Sequence, residues 1–249
     1  MLIKCATLSS QQQLSLITNN LGDKINHISD YAITLSINSN IANVLKENPT
    51  VPKNELEHFL VNSELTNQTQ RIIGLHKNIY AWDILDTENH WFHSSTTETD
   101  QLDSLLDSEI LDNLRTNLAF QFLGPFQISG EPTFVVLKSI TNIDNTKYLG
   151  ALVLLIKEAN ISSVFRNLPD SSSRYFYITN EKRQILSSSS SKGIYEDFSS
   201  YAGIDPTKYK TLAETGSQIF SINNTDFLFI CKSSPALNWK VINLIPLEI

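Results

Sequence analysis

Cysteine, glycine, basic residues and long apolar runs are all scarce in this chain of 249 residues. Two cysteines exclude a disulfide-dense scaffold and a four-cysteine zinc module. Eight glycines are too few for an architecture built on many glycine-rich loops. Neither a phosphate loop, nor a Gly-x-Gly-x-x-Gly fingerprint, nor a Gly-x-Ser-x-Gly elbow occurs, so no cofactor is expected and no nucleophile is announced. No uninterrupted apolar stretch reaches the ~18 residues that a membrane-spanning helix needs. Nineteen Lys plus Arg stand against 26 Asp plus Glu, giving a net charge of −7 and a pI near 5.2. That deficit argues against nucleic acid as a partner, because neutralising phosphates takes a basic face.

What is present is a chain 41% hydrophobic and 18% charged, which supports a packed core. At ~100–150 residues per domain, the length allows one large domain or two small ones. The first ten residues, MLIKCATLSS, lack the apolar centre of a complete secretory signal. They read either as the end of a removed membrane segment or as a leader. The runs Ser171 to Ser173 and Ser187 to Ser191 read as solvated turns or loops.

Apolar residues at Leu14, Ile17, Leu21, Ile25, Ile28, Ala32 and Leu35 predict a long helix, and from Leu21 their spacing is that of a heptad seam. Beyond Leu35 the stripe moves to Ile33, Ile37, Ile41 and Val44, and Pro49 and Pro52 end the pattern. One helix from about residue 9 to 47 is expected, with its first half, Leu14 to Leu35, available to pair with a second copy of the chain. A short helix over 53–66 follows, and then the period becomes two. Segments 72–85 and 91–95 flank the polar turn Asp86 to His90, which is a hairpin signal. A helical region at 100–118 places Leu102, Leu105, Leu106, Ile110, Leu111 and Leu114 on one side. Strands are predicted at 119–128, 133–141 and 148–156, the last nearly all apolar as in a strand covered on both faces.

The theme then repeats in shorter form. A connecting helix at 158–168 precedes strands at 174–179 and 183–187, short helical turns near 195–202 and 206–213, and strands at 217–222, 226–233 and 239–245. Both halves therefore run strand-strand, helices, strand-strand-strand, which predicts an α+β fold built twice.

At this point the sequence resembles the double Cache sensor domains, the extracytoplasmic modules of bacterial transmembrane receptors, and above all those of YesM-type sensor histidine kinases. The resemblance spans nearly the whole chain. It rests on the long helix ending in Ile41-Ala42-Asn43-Val44-Leu45, on Ile79-Tyr80-Ala81-Trp82-Asp83 with Trp91-Phe92, and on Tyr148-Leu149-Gly150-Ala151-Leu152-Val153. It rests further on Tyr177-Ile178-Thr179-Asn180-Glu181 with Ile185-Leu186, and most specifically on the closing Asn238-Trp239-Lys240-Val241-Ile242-Asn243-Leu244-Ile245-Pro246. The resemblance implies a long helix over 1–49, a membrane-distal PAS-like module over 50–168 that binds the ligand, and a membrane-proximal module over 169–249. It also implies a place at the extracellular face of the cell membrane, anchoring in the membrane in the full-length protein, and a signal passed as a population shift of helices. Amino-acid-binding members carry an Arg-x-Trp-Tyr run that holds the ligand carboxylate. The comparable stretch, Asn117 to Phe122, has neither Arg nor Trp, so amino-acid recognition is not implied.

A pocket needs mostly apolar walls with a few convergent polar groups. The expected ligand-binding residues are Tyr80, Trp82, Asp83, Trp91, His93, Phe120, Phe122 and Lys138, where aromatic faces beside a polar group suit a sugar, a heterocycle or a peptide side chain. Ordinary core packing accounts for any one of the aromatics equally. Lys138 follows four apolar residues in a predicted interior strand, and its partner is either Asp83, a ligand anion or solvent. His90 and His93 with His76, Asp83 and Asp86 lack metal-ligand spacing, so no metal is expected. Asp103 with Asp107, and Glu109 with Asp112, read as a solvated acidic face. Cys231 reads as a buried small hydrophobe; Cys5 is open to pairing with it or with a second chain. The expected function is the ligand-sensing region of a receptor, first a two-component histidine kinase, with no catalysis of its own. It binds an unknown small molecule and forms a homodimer through Leu14, Leu21, Ile25, Ile28 and Leu35. The alternatives are a chemoreceptor, a cyclic-dinucleotide enzyme, a secreted hydrolase, or an adhesion module without a small ligand.

Overall fold

The computed structural model describes residues 2–47, 55–74, 78–93, 99–117, 120–142, 144, 147–165, 174–205, 207, 209–210, 216–222, 225–234 and 237–247. Pro49, Pro52, His76, the serine run at 171–173 and most of the helical turn expected at 206–213 lie outside them, as does the side chain of Cys5. The chain divides into two compact units, His27–Lys157 and Met1–Asn26 with Glu158–Ile249.

Helix α1 (Leu2–Ser36) contributes its first part to one unit and its last turns to the other. The seam residues Leu14, Leu21, Ile25, Ile28 and Leu35 are all buried by the chain itself. This corrects the expectation that they pair with a second copy: a heptad spacing reports a continuous apolar stripe, and here the protein's own packing covers that stripe. The single helix expected to residue 47 is also two. Asn38 interrupts it, its Oδ1 accepting from the Asn40 and Ile41 N–H groups at 3.0 and 3.1 Å, an N-cap that starts α2 (Ser39–Glu47). Ile41, Ala42 and Leu45 are buried, whereas Ile33 and Ile37, assigned to the same stripe by the sequence, face outward.

In the unit His27–Lys157, α3 (Glu55–Ile73) runs a full turn and more beyond its predicted end. Val61, Leu65, Thr69 and Ile73 bury one face at a spacing of four, so Ile72 and Ile73 belong to the helix and not to the strand expected from 72. Five strands form one antiparallel sheet: β1 (Ala81–Asp86), β2 (Trp91–His93), β3 (Gln121–Ile128), β4 (Glu131–Thr141) and β5 (Tyr148–Lys157), in the order β2-β1-β5-β4-β3. The hairpin at Asp86 to His90 forms as expected. Asp86 Oδ1 accepts from the Glu88 and His90 N–H groups at 2.8 Å, and Asn89 takes a left-handed φ of 66°. Gly150 is obligatory where β5 pairs with the end of β1, since a Cβ there would lie 2.5 Å from the Leu85 carbonyl oxygen.

One face of this sheet is covered by α4 (Thr99–Leu105) and α5 (Ser108–Asn117), which bring Leu102, Leu114 and the intervening Leu106 onto Ala81, Leu85, Val135, Leu137, Ala151, Val153 and Leu155. The helical region expected at 100–118 is broken after Leu106 because Asp107 caps α5, its Oδ1 accepting from the Ile110 N–H at 2.9 Å. The opposite face carries Trp82, Ile84, Phe92, Phe134, Val136, Leu152 and Leu154, all buried.

The second unit repeats the plan. Helix α6 (Glu158–Ser162) and a 3₁₀ turn (Ser163–Phe165) lead to β6 (Tyr175–Thr179), β7 (Ile185–Ser188), α7 (Phe198–Ala202), β8 (Ser217–Ile222), β9 (Thr225–Ser233) and β10 (Lys240–Leu247). The sheet order is β7-β6-β10-β9-β8, the same permutation as in the first unit. The duplication expected from element order is therefore real at the level of topology. One face of this sheet is packed by Tyr177, Phe198, Tyr209, Phe220 and Phe229, with ring centroids 5.2–6.4 Å apart. Within this unit α1 is tied to the sheet by Lys232 Nζ donating to Ser15 Oγ at 2.9 Å and by Arg174 donating to Gln13.

Candidate ligand-binding site

The helix-covered face of the first sheet is apolar except for one row of side chains. In an antiparallel ladder, directly paired residues point to the same face. The pairs Asp83↔His93, Asp83↔Val153, Leu137↔Val153 and Gln121↔Leu137 therefore set His93, Asp83, Val153, Leu137 and Gln121 in one line across the sheet. Asp83 is fully buried, and His93 Nδ1 donates to its Oδ1 at 2.8 Å. His93 is its only ion-pair partner among the described residues. Its second oxygen, Oδ2, is buried without a hydrogen-bond partner, and so is the Gln121 amide nitrogen Nε2. Two buried polar atoms left open on one sheet face are costly, and most proteins avoid them.

The walls of this row are aromatic and acidic at one end. Trp91 lies beside His93 on the same face, the rings stacked with centroids 5.9 Å apart and an interplanar angle of 18°. Trp91 Nε1 donates to Asp103 Oδ1 of α4 at 2.6 Å, which fixes the indole against the covering helix. Edge strand β2 is held from its other side by α3: the His93 N–H donates to Asn62 Oδ1 at 2.8 Å, and His58 Nε2 lies 3.1 Å from the Trp91 carbonyl oxygen. At the far end, Ser139 Oγ donates to the Leu114 carbonyl of α5 at 2.6 Å.

Of the eight residues expected to bind ligand, this face gathers Asp83, Trp91 and His93. The register puts Trp82 and Lys138 on the opposite face: Ile84 and Lys138 both pair with Leu152, one row from Asp83. Lys138 is therefore not the partner of Asp83; it is half-buried, and burial lowers its pKa. Phe122 shares that opposite face, its ring 5.3 Å from Phe134, and Phe120 lies 6.4 Å from Phe122. Tyr80 is exposed just before β1, with Lys157 Nζ 4.3 Å from its ring centroid. Sequence reasoning missed Gln121, whose only signal was a polar residue between two phenylalanines; Asp103 is exposed, as its assignment to a solvated face expects, and what the sequence did not show is its bond to the Trp91 indole. His90 pairs with Asp86 Oδ2 at 3.0 Å, apart from the Asp83–His93 pair. Among the described residues no group of three or more His, Cys, Asp or Glu side chains converges.

No family model matches this sequence, and no curated protein is similar to it by sequence. Solved structures are similar to it in fold. The ligand-binding domain of the Pseudomonas aeruginosa PAO1 amino-acid chemoreceptor PctC, in complex with GABA, superposes with a TM-score of 0.68 at 11% identity, covering 95% of this chain and 98% of that one. The fold is that of the double Cache sensor domains. The ligand-binding domain of the Pseudomonas fluorescens chemoreceptor CtaA, in complex with L-isoleucine, gives 0.67 at 9% identity over 94% of this chain and 90% of its own. The sensor domain of the V. cholerae histidine kinase DctB gives 0.63 at 13% identity with both chains covered in full. The double Cache fold expected from element order is thus the one observed. A YesM-type relationship gains no support beyond the fold.

Proposed function

We propose that this chain is the extracellular ligand-sensing region of a membrane-anchored signalling receptor, without catalysis of its own, and that it binds a small molecule on the helix-covered face of the first sheet. One observation carries the reading. On the helix-covered face of the first sheet a buried carboxylate oxygen and a buried amide nitrogen lack partners, whereas the corresponding face of the second sheet is filled with aromatic rings and its unpartnered Asn243 amide lies on the opposite face. A small ligand on that face would supply the partners these atoms lack.

In this reading residues 50–168 form the ligand-binding, membrane-distal module and 169–249 the membrane-proximal one. No helix among the described residues is long and apolar enough to cross a membrane. The output is a histidine kinase, as for DctB; a chemoreceptor is supported equally by CtaA and PctC. A receptor dimer uses the outward face of α1, where Leu16 and Ile33 are exposed, in place of the buried seam. Sedimentation that is unchanged by Leu16→Glu with Ile33→Glu would remove that interface.

The test is a thermal-shift screen of a broad metabolite panel against the purified chain. A ligand at 100 times its Kd raises stability by ~2.7 kcal/mol. Hits are expected to be lost on Trp91→Ala while the second unit stays folded. Hits that instead follow Tyr177 or Phe229, or a panel without any hit, would overturn the reading.

A further inference from the structure

The second sheet has another face, turned away from its aromatic cluster, and α1 packs on it. Ile230 and Lys232, two apart in β9, share that face, and Lys232 Nζ reaches Ser15 Oγ of α1 at 2.9 Å within the one compact unit. A cavity of about 320 Å³ lies between helix and sheet. Gln11, Leu14 and Ser15 of α1 line it, with Ile230 and Lys232 of β9 and Gly216 just ahead of β8. Its size is at the small end of ligand pockets, ~300–1,000 Å³. The floor is apolar, with Leu14 and Ile230 buried, and the rim is polar, with Gln11 and Lys232 exposed. Around it the packing of α1 on the sheet is incomplete. Asn243, paired directly with Ile230, has both amide atoms buried without partners, and so is the Ser10 hydroxyl, one turn before Leu14.

The charge at this cavity has one sign. Ser15 Oγ donates to the Gln11 carbonyl at 2.8 Å and accepts from Lys232, so its hydrogen bonds are spent on setting the ammonium at the rim. An ammonium carries three donors, and Ser15 takes one. Lys232 has no ion-pair partner among the described residues, and α1 holds no Asp or Glu before Asp23. A cation above an apolar floor selects a molecule with an anion at one end and hydrocarbon at the other. Inorganic phosphate would leave the floor bare, and an amine would meet like charge. We infer that this cavity is a second ligand site, separate from the first sheet, for a small monocarboxylate with a short alkyl body. Its carboxylate meets Lys232 Nζ and the Gln11 amide, and its alkyl part covers Leu14 and Ile230. Such a ligand touches both α1 and β9, so its binding stabilises the docking of helix on sheet.

The probes are butanoate, butan-1-ol, which lacks the charge, butylamine, which reverses it, and inorganic phosphate, which lacks the hydrocarbon. Titration calorimetry on the whole chain is expected to find butanoate the tightest. Lys232→Met keeps the stem and removes the ammonium, so it should weaken butanoate at least tenfold, the loss of one charge-assisted bond. Gln11→Glu sets a like charge at the rim and should also weaken butanoate, while leaving butan-1-ol unchanged. Both side chains are exposed, so neither substitution disturbs the core. The inference is overturned if butan-1-ol, butylamine or phosphate matches butanoate, if butanoate fails to bind at millimolar concentration, or if Lys232→Met binds it unchanged. Butanoate lost on Trp91→Ala yet retained by Lys232→Met would also overturn it, because the acid would then sit on the first sheet. A metabolite from the broad panel that survives Trp91→Ala and is lost on Lys232→Met supports this site and counts neither for nor against the first one.

Discussion

Asp83 and Tyr177 hold corresponding positions in the two units, each the third residue of a strand that lies between an edge strand and the central strand of its sheet. Asp83 pairs with His93 and Val153; Tyr177 pairs with Ser188 and Ile242. Both are buried on the face that carries their unit's core cluster. Tyr177 there packs edge-on against Phe198 and Tyr201, at 5.2 and 5.9 Å, and the surrounding burial pushes its phenol well above its ordinary pKa. The same position is thus a packing residue in one unit and an open acceptor in the other.

That contrast predicts different responses to mutation in the ligand-free protein. Asp83→Asn keeps the side chain's shape and an oxygen that can still accept from His93 Nδ1 but loses the charge of that pair, so chemical denaturation should find a loss of about 1–3 kcal/mol. Phe198→Ala, by comparison, empties a fully buried site and should cost about 3–5 kcal/mol. A loss above 3 kcal/mol from Asp83→Asn would make the carboxylate a structural group.

Asp197 caps α7 through its Oδ1, which accepts from the Ser200 N–H at 3.0 Å, while Oδ2 accepts from Arg183 Nε at 2.9 Å. Burial pulls the carboxyl upward, but the Ser200 N–H and the Arg183 guanidinium outweigh it and hold it below its ordinary value. A depressed carboxyl stabilises the fold above its unfolded-state pKa, and that contribution is lost as pH falls through the folded-state value. Asp197→Ala should therefore cost about 1 kcal/mol at neutral pH, and the difference from the parent should shrink as the solution is taken through the acid range. Arg183→Ala should cost less, because the ion pair is about a third exposed on both sides and screened. Denaturant melts across that pH series check both.

The Cys231 thiol is pushed up to about 11 by burial, against a smaller pull from Lys240. A raised thiol pKa stabilises the fold below the unfolded-state pKa, and the contribution disappears as pH rises through the folded value. In a Cys5→Ser background, alkylation by iodoacetamide at pH 8 should run roughly a hundredfold slower in the folded protein than in denaturant. Equal rates would mean the thiol is open.

Asn243 sits in β10 between Phe176 and Ile230, fully buried, with neither amide atom hydrogen-bonded. Replacing an unsatisfied polar side chain by an apolar one of similar shape removes a desolvation penalty of about 1–3 kcal/mol. Asn243→Leu should accordingly raise the denaturation midpoint. A drop in the midpoint would show that the amide has a role in folding.

Local rules carried much of this fold. Short apolar runs bounded by turn residues marked β4, β5 and β10, the polar turn at Asp86 to His90 marked the first hairpin, and the repeated order of elements announced two modules, because each of these depends on neighbours within a few residues. The breaks at Asn38 and Asp107 were present in the sequence as capping residues but were masked by leucine and isoleucine stripes continuing on both sides. Tertiary structure alone decided three things. It buried the heptad seam of α1 within the chain, since a stripe's spacing does not say what covers it. It set Trp82 and Lys138 on one face and Asp83 on the other, since register across strands decides which residues meet. It brought Gln121 into the row of Asp83, because residues 38 positions apart become neighbours only through β4 and β5. Chemistry that depends on convergence across a sheet is therefore settled by strand order, which no local pattern encodes.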